Sequence, residues 1–358
     1  MRGAAPPCFD PVSYPGPRPA GPVLVRAGRA RPLQLGGPST RPYTGPVAGQ
    51  VPEPLHYSVA YGSNACVERL VDKGLDEPGA VLLPARMRGW ATAFVARRTD
   101  YGSVPLTLVP GGADAVTDTW VLGLPGQALA TLDRTEHRQA AAATPPAAPS
   151  TGEGYVLGRI GPVAVADRYL LRDALAYRPA PGTRLLCDAS GWLTWPEHDQ
   201  GHARSAREHG APTVEAPGVE RVEAGRWPST PLEDLPLFVY GTLRPGCSAW
   251  DHVADLVEVV GPARTVGRLY DTPHGWPAAD LEADGEVHGT LLAPRGPRAA
   301  VELVARVDAY ENAPQLFRRR AVVVRDPQGQ RAWAMAYQWA DGAPPGGQLP
   351  DGRWPAGG

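Results

Sequence analysis

The sequence predicts an α+β fold in two tandem copies, on three observations. A short apolar strand running into Tyr-Gly-Ser/Thr occurs twice, as Tyr57-Ser58-Val59-Ala60-Tyr61-Gly62-Ser63-Asn64 and as Leu237-Phe238-Val239-Tyr240-Gly241-Thr242-Leu243-Arg244. Each is followed, 75 residues on (61 to 136) and 71 residues on (240 to 311), by a helical stretch ending apolar-Asp-x-x-Glu. Between and around the copies lie Gly/Pro-rich stretches that carry neither a 3.6-residue period nor an alternation able to bury a face. Self-similarity at this spacing is the mark of a duplicated unit.

The 358 residues suffice for two domains of about 100–200 residues each plus loop, and the 42 glycines and 42 prolines require that loop. The expected division is a disordered Pro/Gly-rich segment over 1–52, a first domain over 53–197 with a loop insertion at about 140–154, a linker over 198–234, a second domain over 235–340, and a flexible tail over 341–358. Within the copies, Cys66 to Leu75 places Val67, Leu70 and Val71 on one helical face. Ser248 to Val259 does the same with Val253, Leu256 and Val257, behind a capping box of Ser248 and Asp251.

A formal net charge of −2 gives no global pull toward nucleic acid or anionic membrane, so a small-molecule partner is expected and neither of those. The apolar runs fall short of the roughly 18–20 residues a bilayer requires, and Pro6, Pro7, Pro11 and Pro15 interrupt any signal core. The cytoplasm is the expected compartment. Cys8, Cys66, Cys187 and Cys247 are scattered without a zinc spacing and read as free thiols, Cys66 and Cys247 as buried ones. His198-Asp199-Gln200-Gly201-His202 has a metal-like i, i+4 histidine pair, but Gly201 and its surroundings read as solvated linker. Arg318-Arg319-Arg320 reads as a strand with one side chain inward, Arg318, and two outward.

A strand that ends at glycine and turns into a helix presents unpaired backbone N–H groups, which make a seat for an anion. Here that anion is read as an α-carboxylate, with Ser63 or Thr242 adding a hydroxyl and Tyr61 or Tyr240 a wall. The loops lack GxxxxGK[ST], which makes a nucleotide phosphate a poor candidate. Glu136 follows Leu132 and Leu129 by four and seven residues, and Glu311 follows Val307 and Val304 likewise, so both carboxylates lie on their helices' apolar stripes. A partly desolvated glutamate has a raised pKa and works as a base and then an acid near neutrality. Such a base suits a γ-glutamyl amide, whose protonated α-nitrogen must lose a proton before it attacks its own γ-carbonyl. No metal, cofactor or serine nucleophile is called for.

Tyr61-Gly62-Ser63-Asn64 with Leu132-Asp133-Arg134-Thr135-Glu136 resembles the γ-glutamylcyclotransferase pattern. Tyr240-Gly241-Thr242-Leu243-Arg244 with Val307-Asp308-Ala309-Tyr310-Glu311 resembles the avirulence-induced-gene-like, γ-glutamylamine cyclotransferase branch of the same superfamily. Gly267-Arg268-Leu269-Tyr270, Val287-His288-Gly289-Thr290, Arg318 and Ala336-Tyr337 extend the second match over roughly 235–340. Gly89-Trp90 and Pro105 to Pro110 extend a looser first match over roughly 55–185. The resemblance implies a small mixed α/β barrel in each copy and release of 5-oxoproline and an amine. It implies Glu311 and Glu136 as acid/base, and Tyr240, Gly241, Thr242, Leu243, Arg244, Arg318 and Tyr337, with Tyr61, Gly62, Ser63 and Asn64, as substrate contacts.

Three departures stand out: His137 and Asn312 replace the family's glycine after the glutamate, Ala65-Cys66 replaces a leucine, and Phe317 stands where tyrosine is common. The second copy is therefore the expected carrier of activity. The alternatives are a non-catalytic binding module that retains the fold, and removal of a γ-glutamyl group from a larger natural-product amine.

Overall fold

The computed structural model describes residues 10–33, 35, 55–77, 79–99, 102–137, 154–218, 222, 227 and 232–355. The chain forms two compact units. One comprises residues 1–35, 47–163 and 171–231, and the other comprises 36–46, 164–170 and 232–358.

The first unit is built on strands β1 (Leu55–Val59), β2 (Ala80–Arg88), β3 (Val116–Pro125), β4 (Tyr155–Val165) and β5 (Tyr169–Pro179), with helix α1 (Gly126–Thr135) between β3 and β4. Pairing runs β1-β3-β2-β4-β5 and returns from β5 to β1 through a parallel contact, Val59 opposite Ala176, which closes the ring. The second unit repeats this with β6 (Leu237–Val239), β7 (Val257–Val266), β8 (Glu286–Pro294), β9 (Phe317–Arg325) and β10 (Arg331–Trp339), and with helix α2 (Pro297–Tyr310) between β8 and β9. Its closed order, β6-β8-β7-β9-β10, is the first order with every label raised by five, and the parallel closure is Leu237 opposite Met335. The expected pair of small mixed barrels is therefore present. Closure leaves neither barrel an exposed edge.

Each helix packs an apolar stripe on its barrel. Ala300, Leu303, Val304 and Val307 are buried on α2, and Ala128, Leu129 and Leu132 on α1, the i, i+3, i+4, i+7 pattern of a one-faced helix. Pro297 starts α2, where its missing N–H has no intrahelical partner to lose. The helices end where His137 and Asn312 both turn left-handed, at φ 48°. That conformation costs glycine nothing, and Asn and His adopt it more readily than most residues.

Several sequence expectations are corrected. Residues 23–32, expected to be disordered within 1–52, form a hairpin (Val23–Arg26 with Arg29–Pro32) whose first strand pairs with β2. The turn is Ala27-Gly28, both at positive φ (49° and 73°), and Val23 and Val25 alternate into the core. The expected linker carries a helix at Gln200–Glu208, capped by Asp199 accepting from the His202 N–H at 2.7 Å, and a strand at Thr213–Glu215. Gly201 sits in that helix's first turn, where its weak propensity costs little.

The expected tail carries a strand, Gly347–Leu349, on Arg268–Asp271, and buries Trp354. Ser248 to Val259 is a 3-10 turn at Trp250–His252 followed by β7, because β-branched Val257, Val259 and Val260 favour the sheet. Cys66 and Cys187 are buried free thiols, whereas Cys247 is free but only half-buried. Cys8 and the expected insertion at 140–153 lie outside the described residues.

Gly289 on β8 marks how tightly the second barrel closes. A methyl there would overlap the Val239 carbonyl oxygen and stand 2.8 Å from the Phe238 ring. Gly289→Ala is expected to destabilise the chain by about 2 kcal/mol in urea unfolding, and a loss under about 0.5 kcal/mol would contradict this packing.

Candidate active site

The second unit's loop is anchored by a hydrogen-bond chain. Tyr240, buried at the end of β6, donates its hydroxyl to the Tyr337 carbonyl at 2.7 Å, and Tyr337 donates its own hydroxyl to Asp308 Oδ1 at 2.7 Å. Arg319 Nε lies 3.0 Å from the same carboxylate oxygen. Burial raises the pKa of both tyrosines, and the charge of Glu311 adds to the rise in each. Both remain donors. The loop, the last barrel strand and the end of α2 are thereby tied together.

Beyond Tyr240 the chain turns with Gly241, Thr242 and Leu243, whose N–H groups find no acceptor among the described residues. Thr242 Oγ1 lies 2.9 Å from the Tyr310 hydroxyl. Only glycine fits at 241, since a Cβ would stand 2.6 Å from Pro277 Cγ. The loop borders a cavity of about 250 Å³ that is also lined by Trp276, Pro277, Tyr310, Glu311, Leu316, Phe317 and Tyr337.

Glu311, one residue beyond α2, is half-buried, with no cation or hydrogen-bond donor paired to its carboxylate among the described residues. Loss of hydration raises its pKa to about 7, from an ordinary 4.5. The cavity thus sets a loop whose N–H groups find no acceptor among the described residues beside a carboxyl poised near neutrality.

Of the residues the sequence nominates here, Tyr240, Gly241, Thr242, Leu243, Glu311 and Tyr337 meet at the cavity, and two do not. Arg244 turns its guanidinium to the carbonyls of Trp354 (2.7 Å) and Gly241 (3.3 Å). Arg318 is exposed and pairs with Asp341 at 3.0 Å, because the pleat that buries Phe317 sends the next side chain outward. Arg319, on the inward parity, reaches Asp308 instead. Sequence reading missed Asp308, Trp276 and Pro277. The aspartate's recurrence in both tetrads was a signal for it, whereas nothing local marks the other two.

The first unit repeats the frame and changes the contents. Tyr61 donates to the Tyr177 carbonyl, and Tyr177 donates to Asp133 Oδ1 at 2.7 Å, the same chain as before. Here, however, Lys73 places Nζ 2.5 Å from Glu136 Oε1 and 2.6 Å from Asn64 Oδ1, with the lysine and glutamate side chains only 7% and 13% exposed. Lys73 thus bridges the loop and the carboxylate.

The loop is also covered. Arg18 donates to the Gly62 carbonyl at 2.9 Å and to that of Tyr61 at 3.0 Å, and the Tyr14 hydroxyl lies 2.9 Å from where a Gly62 Cβ would be. Burial lowers the pKa of Arg18 to about 10. Neither Tyr14, Arg18 nor Lys73 was singled out from sequence. His198 and His202 do approach, with rings 4.7 Å apart, but among the described residues no group of three or more His, Cys, Asp or Glu is placed to hold a metal. No helix of the described residues is long and apolar enough to cross a membrane.

A closed five-stranded barrel with a Tyr-Gly-Thr loop facing a helix-end glutamate defines a cyclotransferase-like domain. Residues 237–356 match the family described as Gamma-glutamyl cyclotransferase, AIG2-like. No curated protein matches the chain. Similar solved structures include an AIG2-like protein from Mus musculus, 24% identical, covering 31% of this chain and 80% of its own, with a TM-score of 0.27. An uncharacterized protein from Pyrococcus horikoshii is 21% identical over 33% of this chain and 88% of its own, with a TM-score of 0.26. YkqA from Bacillus subtilis is 15% identical over 81% of this chain and 87% of its own, with a TM-score of 0.25.

The raised pKa of Glu311 links its protonation to stability. The folded state keeps a proton up to about pH 7 that the unfolded chain releases near 4.5, so this group's contribution is full below 4.5 and lost as pH rises through 7. Glu311→Gln is therefore expected to gain stability over the parent between those pH values, by at most about 3 kcal/mol. Melting curves at pH 5 and pH 8 check this, and an equal difference between the two proteins at both pH values would contradict it.

Proposed function

We propose that the second unit is a γ-glutamyl cyclotransferase acting by intramolecular aminolysis. The observation that carries this reading is the desolvated Glu311 sharing a cavity with the Tyr240–Leu243 loop, the carboxylate and three loop N–H groups having no partner among the described residues. The N–H groups and Thr242 hold the substrate's α-carboxylate, which bends the chain so that its α-nitrogen faces the γ-carbonyl. Glu311 takes a proton from the α-ammonium. The freed amine forms the ring N–C bond, and the C–N bond to the leaving amine breaks. Two protons in all pass from the attacking to the departing nitrogen, with Glu311 as carrier, and no water is consumed. The products are 5-oxoproline and an ammonium.

The first unit reads as a copy that keeps the frame without this chemistry. The Lys73 ammonium already occupies Glu136, in the position that a substrate ammonium would need, and Tyr14 with Arg18 covers the loop. Removing one partner of so buried a pair leaves a stranded charge, typically at a cost of about 3–5 kcal/mol, so the bridge is not readily displaced by a substrate.

Incubation with γ-glutamyl amides and chromatographic detection of 5-oxoproline tests both readings. Glu311→Gln is expected to lower the rate by at least about 100-fold while leaving the protein folded, and Glu136→Gln by less than about threefold. The reverse order would transfer the activity to the first unit. Product formation indifferent to both substitutions would discard the mechanism.

A further inference from the structure

The polar groups of the second cavity are matched by the γ-glutamyl part of a substrate, and what remains of the wall is apolar. Trp276, Leu316 and Phe317, with Pro277, Phe238 and Val239, form that remainder. The tryptophan is held in place on several sides. Its ring stacks on His274 at 5.4 Å and 20°, lies 5.7 Å from Phe317 and lies 6.2 Å from Trp339, while Phe317 meets Trp339 edge-on at 5.6 Å. A ring fixed this way offers a flat, preorganised face.

Among the described residues the wall contains no lysine or arginine, and the arginines nearest it in sequence are committed elsewhere. Arg318 pairs with Asp341, Arg319 with Asp308 and Arg320 with Glu282, while Arg244 is held by the tail carbonyls. A second carboxylate, carried on the leaving group, would enter a cavity that already holds Glu311 and would find no counter-charge. Burying an unpaired anion costs far more than burying a ring gains.

Resting on the cyclotransferase reading, we infer that the second unit prefers γ-glutamyl amides of arylalkylamines that lack a carboxylate, with Trp276 as the residue that sets the preference for the ring. The leaving ring lies on the Trp276 face against Leu316 and Phe317. Amides of amino acids, including peptides that end in a nearby carboxylate, are disfavoured by the absence of a cation.

Three ligands isolate these features: γ-glutamyl-phenethylamine, γ-glutamyl-phenylalanine, which differs from it by one carboxylate, and γ-glutamyl-ethylamine, which lacks the ring. With the full chain, kcat/KM for the phenethylamine amide is expected to exceed that for the phenylalanine amide by about 100-fold and that for the ethylamine amide by about 30-fold. Trp276→Ala should lower the phenethylamine value at least about 10-fold, chiefly through KM, and the ethylamine value by less than about threefold, while Trp276→Phe restores most of the loss. A phenylalanine amide turned over as well as the phenethylamine amide, or an ethylamine amide equal to it, overturns the inference and leaves the cyclotransferase reading standing. If none of the three yields 5-oxoproline, that reading fails. The inference is then decided by calorimetric Kd values, which must follow the same order and respond to Trp276→Ala in the same way, or it fails too.

Discussion

The hydrogen-bond chain from the loop tyrosine to the helix aspartate is the constraint on which both sites depend. Tyr240 to the Tyr337 carbonyl, and Tyr337 to Asp308, link three segments far apart in sequence: the end of the first barrel strand, the last strand and the end of α2. Glu311 follows Asp308 by three residues, so fixing the aspartate fixes where the glutamate emerges. Tyr61, Tyr177 and Asp133 repeat the arrangement in the first unit. Buried hydroxyls with satisfied partners hold a geometry that apolar packing alone would leave adjustable.

Given one frame, the difference between the units comes down to what meets the carboxylate. In the first unit a lysine at the end of the short helix Val67–Asp72 reaches across to Glu136 and Asn64. In the second, the corresponding stretch is a tight turn through Pro245 and Gly246 into the 3-10 turn Trp250–His252, and Glu311 faces the cavity without a partner among the described residues. The same residue type is thus bridged to a lysine in one barrel and a desolvated group with a raised pKa in the other. A duplicated motif does not by itself duplicate a chemistry.

Much of this was legible in the sequence, for reasons of register. The repeated Tyr-Gly loops and the i, i+4, i+7 spacing that carries each glutamate along an apolar stripe require only the periodicity of a helix. The barrels themselves were legible only through family resemblance, because closure depends on a parallel pairing between strands about 100 residues apart. The segment over 1–52 misled because its prolines mask a ten-residue hairpin with a two-residue Ala-Gly turn. Arg318 was misjudged by one strand position, which in a pleated strand is the difference between inside and outside. Lys73, Arg18 and Trp276 are ordinary side chains in sequence, and only tertiary packing brings them to their loops.

The central claim is that Glu311 is a desolvated carboxyl, without a partner among the described residues, able to exchange a proton near neutral pH, and the most direct test is its own titration. The side-chain carboxyl carbon of Glu311 can be followed by NMR from pH 4 to 9 in protein labelled at glutamate, with Glu311→Gln supplying the assignment. The expected midpoint is about 7. A midpoint near the ordinary 4.5 would mean that the carboxyl is solvated or paired, and the account of this site as a general acid/base would be wrong.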